Sequence, residues 1–197
     1  MGAFPEYWQK LRGKDTNRLI VLVSNPKIIP PQFFLDFEKN TGKRVEVRSV
    51  ESFHLYKMEA QSVDLLFAPL SWLGSFPEIL AEPPKLKEFH DLLSSDFATM
   101  KLELTYFLPV LWKTESKNDK IHLQIWGFAT PLDSGGDSEA LLSFLLTSNS
   151  RLKTWAEMTG LHFTLKVTDQ IPNFPEEQRA QKIREVPLPQ LVIDQKY

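Results

Sequence analysis

The chain has 197 residues, of which 42% are hydrophobic and 24% charged, and its formal net charge is −2. These proportions are ordinary for a globular protein, and they lack the basic excess that nucleic-acid binding requires. Cysteine is absent, so disulfides, cysteine-ligated metals and a cysteine nucleophile are excluded. We therefore expect one large domain or two small ones, with no nucleic-acid partner.

The first part of the chain predicts a strand followed by an amphipathic helix. Residues 4–13 have the composition of a short lead-in helix. The apolar run at 19–24 is typical of a strand buried on both faces, and hence of a parallel sheet. In the helix that follows, three aromatic side chains share one face, and Gly42 is the expected C-cap. These side chains are Phe33, Phe34 and Phe37.

Two more strands are predicted before residue 70. Residues 44–49 alternate in polarity, as a strand near the edge of a sheet would. A short helix at 51–60 should place Phe53, Tyr56 and Met58 on or near its packing face. The apolar run at 64–68 predicts a third strand, and right-handed crossovers would make all three strands parallel.

The later part of the chain predicts two long strands and one long helix. Residues 71–84 predict a helix or turn, and 94–100 one helical turn. Strands are expected at 102–116 and 121–131, joined by a turn at 117–120. A helix is expected over 138–160, and after it a surface helix at 175–186 and an extended tail at 187–197.

No pattern of catalytic or metal-binding residues is present. The four histidines are not spaced as metal ligands on one helix face; they are His54, His90, His122 and His162. The glycines of "DSGGD" at 133–137 do not form a phosphate-binding motif, and no G-x-S-x-G elbow occurs. The sequence therefore predicts a non-enzyme without a cofactor or a metal.

Two of the five tryptophans follow or lie within strands near the expected binding edge. In open α/β sheets the ligand crevice lies beyond the carboxyl ends of the strands. Trp72 comes just after the third strand, and Trp126 falls within a late strand. Each could stack on a ligand or pack against the core. Core positions explain the other three, which are Trp8, Trp112 and Trp155.

Three segments together resemble the polyamine-type (spermidine/putrescine) family of periplasmic solute-binding proteins. The segments are 19–52, 63–73 and 140–161, and the matching positions include Asn25, Ile29, Pro30, Glu38, Thr41, Gly42, Glu51, Ser52, Asp64, Leu65, Pro69 and Trp72. The resemblance implies an α/β fold: a single lobe of the type 2 periplasmic-binding-protein-like fold, with a mixed, mostly parallel five-stranded sheet flanked by helices. One of the two late strands would be antiparallel to the rest.

The second lobe of that family has no counterpart in this sequence. In the family it is inserted between the two late strands, where this chain has only a short turn near 116–120. We therefore expect residues 1–197 to form one domain that resembles the first lobe. The resemblance also implies loss of ligand carboxylates. Lys27 stands where the family has aromatics, and the Asp of the return strand is missing.

These features predict a non-catalytic extracytoplasmic module for small-molecule binding or protein interaction linked to ABC transport. The expected partners are a small ligand, a membrane permease or sensor protein, and a second copy of the chain. The expected contact face consists of Asn25, Pro26, Lys27, Ser71, Trp72, Gln124 and Trp126. We expect Trp72 to be partly accessible and to contact one of these partners.

Three alternatives remain open at this point. The chain could act only by self-association or partner binding, without a small ligand. It could be an unrelated flavodoxin-like enzyme or signalling domain, although "SNPKIIPP" at 24–31 supplies neither a phosphate-accepting nor a flavin-binding loop. The first residues lack the apolar segment of a signal peptide. The third alternative concerns location. The protein is expected to be periplasmic or otherwise exported, with the leader absent from this chain, and the alternative is a cytoplasmic location.

Overall fold

A computed structural model describes residues 17–81, 108–117, 120–134, 137–163 and 191–193. The predicted lead-in helix, the turn at 94–100 and the surface helix at 175–186 lie outside these residues. The strands are β1 (Arg18–Val23), β2 (Arg44–Ser49), β3 (Leu65–Pro69), β4 (Leu108–Lys117), β5 (Lys120–Ala129), β6 (His162–Phe163) and β7 (Leu191–Ile193). The α-helices are α1 (Pro31–Thr41), α2 (Phe53–Glu59), α3 (Leu70–Leu73), α4 (Asp137–Leu146) and α5 (Asn149–Thr159).

The strands form one mixed sheet in the order β2-β1-β3-β5-β4-β6, and β7 pairs with β5. β1 is parallel to both β2 and β3, and β5 is antiparallel to β3 and β4. Four of the five longer strands therefore point one way and β5 points the other. The predicted mixed five-stranded sheet is confirmed, with the short strands β6 and β7 added. The antiparallel β5 also rules out a flavodoxin-like domain, whose sheet is parallel throughout.

The helix α1 has clear start and stop signals in the sequence. Pro31 occupies its first turn, where a missing N–H costs nothing. Gly42 ends it with φ 73°, a left-handed conformation in which Gly avoids the Cβ penalty. The predicted aromatic face is fully buried at Phe33, Phe34 and Phe37.

The sheet separates two apolar cores, because alternate side chains of each strand point to opposite faces. The first core lies under α1, α4 and α5 and contains Leu19, Phe37, Leu65, Phe67, Phe128 and Trp155. The second core lies under α2 and α3 and contains Leu22, Tyr56, Leu66, Leu73 and Phe76. This coverage on both faces explains why β1 and β3 are continuous apolar runs.

β4 and β5 form a long hairpin. Their register runs from Leu108 opposite Phe128 to Lys117 opposite Lys120, with an irregularity between Pro109 and Leu111. Only positions 118–119 separate the two strands in the chain, as the predicted turn requires.

Two expectations about helices are wrong. The single helix predicted at 138–160 is two helices, because the hydroxyl of Ser148 accepts a hydrogen bond from the N–H of Arg151 and caps a new start. Met58, predicted near a packing face, is 67% exposed. α2 is short and buries Tyr56, which directs the Met58 side chain to solvent.

Candidate binding site

The carboxyl edge of the sheet is the surface at which β1 and β3 end. Residues 24–27 follow β1, and α3 follows β3 directly. Since β5 is antiparallel, its first half lies at the same edge, with Trp126 opposite Pro69. The backbone therefore brings the three predicted segments to one edge, which is where α/β sheets bind ligands.

The loop after β1 presents its polar groups to solvent on a fixed backbone. Asn25, Pro26 and Lys27 are all exposed. The side-chain Oδ1 of Asn25 accepts from the N–H of Lys27 at 2.9 Å, and the N–H of Ile28 donates to the carbonyl of Asn25 at 3.2 Å. Side-chain bonds of this kind stabilise a tight turn.

Ser71 and Trp72 are half-buried in the short helix α3. The Trp72 ring packs edge-on against two rings of α2, with centroid distances of 5.6 Å to Phe53 and 5.5 Å to Tyr56. Edge-to-face geometry of this kind is favourable for aromatic pairs. Trp72 thus combines a packed side and an accessible side, and its contact role stays a prediction.

Trp126 lies on the other face of the sheet. It is 8% exposed and belongs to the first core, whereas Trp72 packs against the second core. The ammonium of Lys113 lies 5.8 Å from the centroid of the Trp126 ring, within cation–π range. Gln124 is half-buried opposite Lys113 in the hairpin register.

The predicted residues therefore share an edge but not a single face. Trp126 belongs to the first core, on the α1 side of the sheet. Gln124 lies two residues before it in β5 and therefore points to the same side. Trp72 is on the α2 side. Asn25 and Lys27, in the loop after β1, are exposed at the same edge.

Sequence reasoning missed two residues at this edge. Ser24 is 6% exposed, and its hydroxyl has no hydrogen-bond partner among the described residues. A buried hydroxyl without a partner is unfavourable, so it is a candidate ligand donor. Lys113 was also missed, although counting back from the two-residue turn places it opposite Gln124.

Among the side chains that the structure describes, the charge at the carboxyl edge is mainly positive. Lys27 is exposed and Lys113 is half-buried, while Glu51 is an exposed carboxylate beyond the end of β2. The described residues contain no group of three or more metal-binding side chains. Within the same residues, no helix combines the length and apolar character needed to cross a bilayer.

Solved structures share this architecture, although no protein-family model and no curated protein matches the chain. The spermidine/putrescine ABC transporter substrate-binding protein PotD of Streptococcus pneumoniae superposes with a TM-score of 0.71 at 10% identity, covering 91% of this chain and 93% of PotD. The chain has the fold of a type 2 periplasmic solute-binding protein. The predicted resemblance is confirmed at the level of the fold.

Two further structures support the same fold. A putative spermidine/putrescine ABC transporter protein of Listeria monocytogenes matches with a TM-score of 0.65 at 13% identity, covering 92% of this chain and 94% of that one. The maltose-maltodextrin binding protein of Alicyclobacillus acidocaldarius matches with a TM-score of 0.64 at 11% identity, covering 89% of each chain. Proteins with such different ligands share the fold, so the fold does not specify a ligand here.

Proposed function

We propose that this chain is a non-catalytic, exported solute-binding module that uses the carboxyl edge of its sheet as the binding surface. The observation that carries the proposal is the fold, which it shares with substrate-binding proteins whose ligands are as different as polyamines and maltodextrins. The same fold favours an ABC permease or a sensor protein as the membrane partner.

The module consists of one lobe, on this proposal. The support is the hairpin of β4 and β5, which pair up to Lys117 and Lys120 with two residues between them. A second lobe inserted between these strands would need many more residues than that. A two-lobed protein encloses its ligand, whereas one lobe offers an open surface and hence weaker binding.

The ligand chemistry that fits this edge is a small anionic or neutral polar solute. Lys27 and Lys113 supply positive charge, and Asn25, Ser24 and Gln124 supply hydrogen-bonding groups. A carboxylate bound at this edge would accept a charge-assisted hydrogen bond from the exposed ammonium of Lys27.

The test is a two-dimensional NMR titration of the ¹⁵N-labelled chain with four solutes: succinate, glutamate, maltose and spermidine. We expect succinate or glutamate, at millimolar concentration, to shift amide signals clustered at 24–27, 70–72 and 124–126. Shifts that cluster elsewhere in the sheet, or no shifts with any of the four, contradict the proposal.

A matched pair of variants identifies the surface. Lys27→Ala should weaken the response several-fold, because it removes an exposed charge at the edge. Lys153→Ala is the control, since Lys153 is a half-exposed lysine of α5 that pairs with Glu157 in its own helix. Equal responses in the two variants would place binding away from the loop after β1.

A further inference from the structure

β2 lies at the lateral edge of the sheet. Of the described strands only β1 pairs with it. The N–H of Arg44 donates to the carbonyl of Asn17, and that of Val50 donates to Val23. Even-numbered residues of β2 therefore direct their backbone groups toward β1, and Val45, Val47 and Ser49 direct theirs away from it.

The outward groups are not equivalent. The N–H of Val45 donates to a carboxylate oxygen of Glu38 in α1 at 2.6 Å, so one end of the edge is already satisfied. Among the described residues Val47 and Ser49 have no such cap, and the Val47 side chain is 40% exposed. Unpaired edge groups of this kind are templates for the addition of another strand.

We propose that a second copy of this chain pairs with β2, antiparallel, across a two-fold axis at Val47. Val47 then faces Val47 of the other copy in a hydrogen-bonded pair, and the N–H of Ser49 reaches the carbonyl of Val45. Glu46 and Arg48 already contact each other within one chain, and Glu46 also contacts Arg18. In the dimer each Glu46 lies opposite Arg48 of the other copy as well, and this charge complementarity selects the arrangement.

The charges on β2 reject the neighbouring registers. An axis at Glu46 places two carboxylates directly opposite each other, and an axis at Arg48 does the same with two guanidinium groups. Like charges directly opposite across an antiparallel pair are destabilising. An axis at Val45 requires an N–H that Glu38 already holds. The axis at Val47 avoids both like-charge contacts, keeps both hydrogen bonds of its central pair and forms two Glu46–Arg48 pairs. The N–H of Val45 stays with Glu38 here too, so only the N–H of Ser49 bonds in each outer pair.

The dimer joins two sheets side by side, through a self-complementary contact of the commonest symmetry among oligomers. It uses the lateral edge and leaves both carboxyl edges open. It therefore stands independently of the proposed solute-binding function, and either one can fail without the other.

The test is sedimentation of the full chain between about 10 µM and about 1 mM, where small interfaces associate. We expect the mean mass to rise toward that of a dimer. Glu46→Arg and Arg48→Glu should each abolish this rise, since each places like charges across the axis. A 1:1 mixture of the two variants should recover it, because both cross-axis pairs then join a guanidinium of one variant to a carboxylate of the other.

A second comparison applies if a charge variant does not fold. Val47→Lys places two ammonium groups at the axis and should keep the chain monomeric. The control is Leu55→Lys, which changes an equally prominent exposed side chain on α2 and should leave association unchanged. A monomeric wild type, a Val47→Lys variant that still dimerises, or folded charge variants whose mixture stays monomeric overturns the proposal.

Discussion

The indole Nε1 of Trp155 donates a hydrogen bond to the backbone carbonyl of Ile28 at 2.6 Å. The two residues are 127 positions apart, and Trp155 is fully buried in the first core. This bond ties α5 to the loop that follows β1. The exposed residues Asn25 and Lys27 are therefore anchored from beneath by a helix near the end of the described chain.

Removal of that bond should destabilise the protein while an aromatic ring still fills most of the space that Trp155 occupies. Trp155→Phe keeps an aromatic ring among Phe33, Phe67 and Phe128 but leaves the Ile28 carbonyl without its donor. We expect a loss of about 1–3 kcal/mol in the free energy of unfolding, measured with urea.

The matched control for this variant is Trp72→Phe. Trp72 is half-buried, and no described residue accepts a hydrogen bond from its indole nitrogen, so the expected loss is about 1 kcal/mol or less. Equal losses in the two variants would mean that ring volume, and not the bond to Ile28, determines the stability.

Gly127 should tolerate no side chain. A Cβ at this position would lie 2.5 Å from the carbonyl oxygen of Leu108 and 2.7 Å from a methyl carbon of Leu70. The first neighbour is backbone of the paired strand β4, so relief requires a shift of the hairpin. Gly127→Ala should therefore cost about 3 kcal/mol, the upper end for overpacking.

Gly42→Ala separates this steric effect from backbone strain. Gly42 has φ 73°, and a Cβ added there would meet no atom within 4 Å, so its substitution costs only the left-handed conformation, about 1–2 kcal/mol. Both values come from urea unfolding. A Gly127→Ala loss smaller than that of Gly42→Ala would show that the hairpin yields easily.

Much of the sheet could be predicted, because the pattern of apolar residues in each strand indicates whether one or both of its faces are buried. Residues 19–24 predict a strand covered on both faces, and β1 does lie between two cores. The alternation at 44–49 indicates an edge strand, and β2 is at the edge. The break between α4 and α5 was missed because apolar spacing continues across Ser148, while the cap is a single hydroxyl.

The candidate site could be predicted only in part. Strand ends alone placed Asn25, Ser71 and Trp126 at one edge. The side of the sheet that each tryptophan occupies depends on the register of β5 against β3, where Trp126 pairs with Pro69. Composition does not encode that register, so the separation of Trp72 from Trp126 required the structure.

The cap of α5 should make a measurable contribution. The hydroxyl of Ser148 accepts from the N–H of Arg151 at 3.4 Å, and Ser148→Ala should cost about 1 kcal/mol of unfolding free energy. Ser150→Ala is the control, because that hydroxyl lies 3.1 Å from Ser148 but does not cap the helix, and its cost should be about 0.5 kcal/mol or less. A reversed order would assign the cap to Ser150.

Tyr56 should make stability depend on alkaline pH. Burial raises the pKa of its phenol well above the ordinary value of 10.0, and the hydroxyl donates to the carbonyl of Leu22 at 3.1 Å. Above pH 10 the unfolded chain loses this proton while the folded chain keeps it. The contribution is therefore full below pH 10 and is lost as the pH rises toward the folded pKa.

Tyr56→Phe isolates that contribution from those of the other tyrosines. At pH 8 the variant should be about 1 kcal/mol less stable than the wild type, because the hydrogen bond is gone. At pH 11 this deficit should shrink to near zero, since one pH unit above the unfolded pKa costs the wild type about 1.4 kcal/mol. Urea unfolding at the two pH values measures it, and a constant deficit contradicts the assignment.

Spermidine and putrescine should not bind in the micromolar range. A polyamine ammonium that leaves water needs a paired carboxylate, and without one its burial costs several kcal/mol. The carboxyl edge instead carries Lys27 and Lys113, and the ammonium of Lys113 already lies over the Trp126 ring at 5.8 Å, where a ligand cation would stack.

Isothermal titration of the chain at about 50 µM should show only dilution heat for both amines. Lys113→Met is the matched variant, since it exposes the Trp126 ring yet supplies no carboxylate and should also give no signal. Tight, exothermic binding by the wild type would show that the acidic group at this edge, Glu51, or residues outside the described ranges complete a polyamine site.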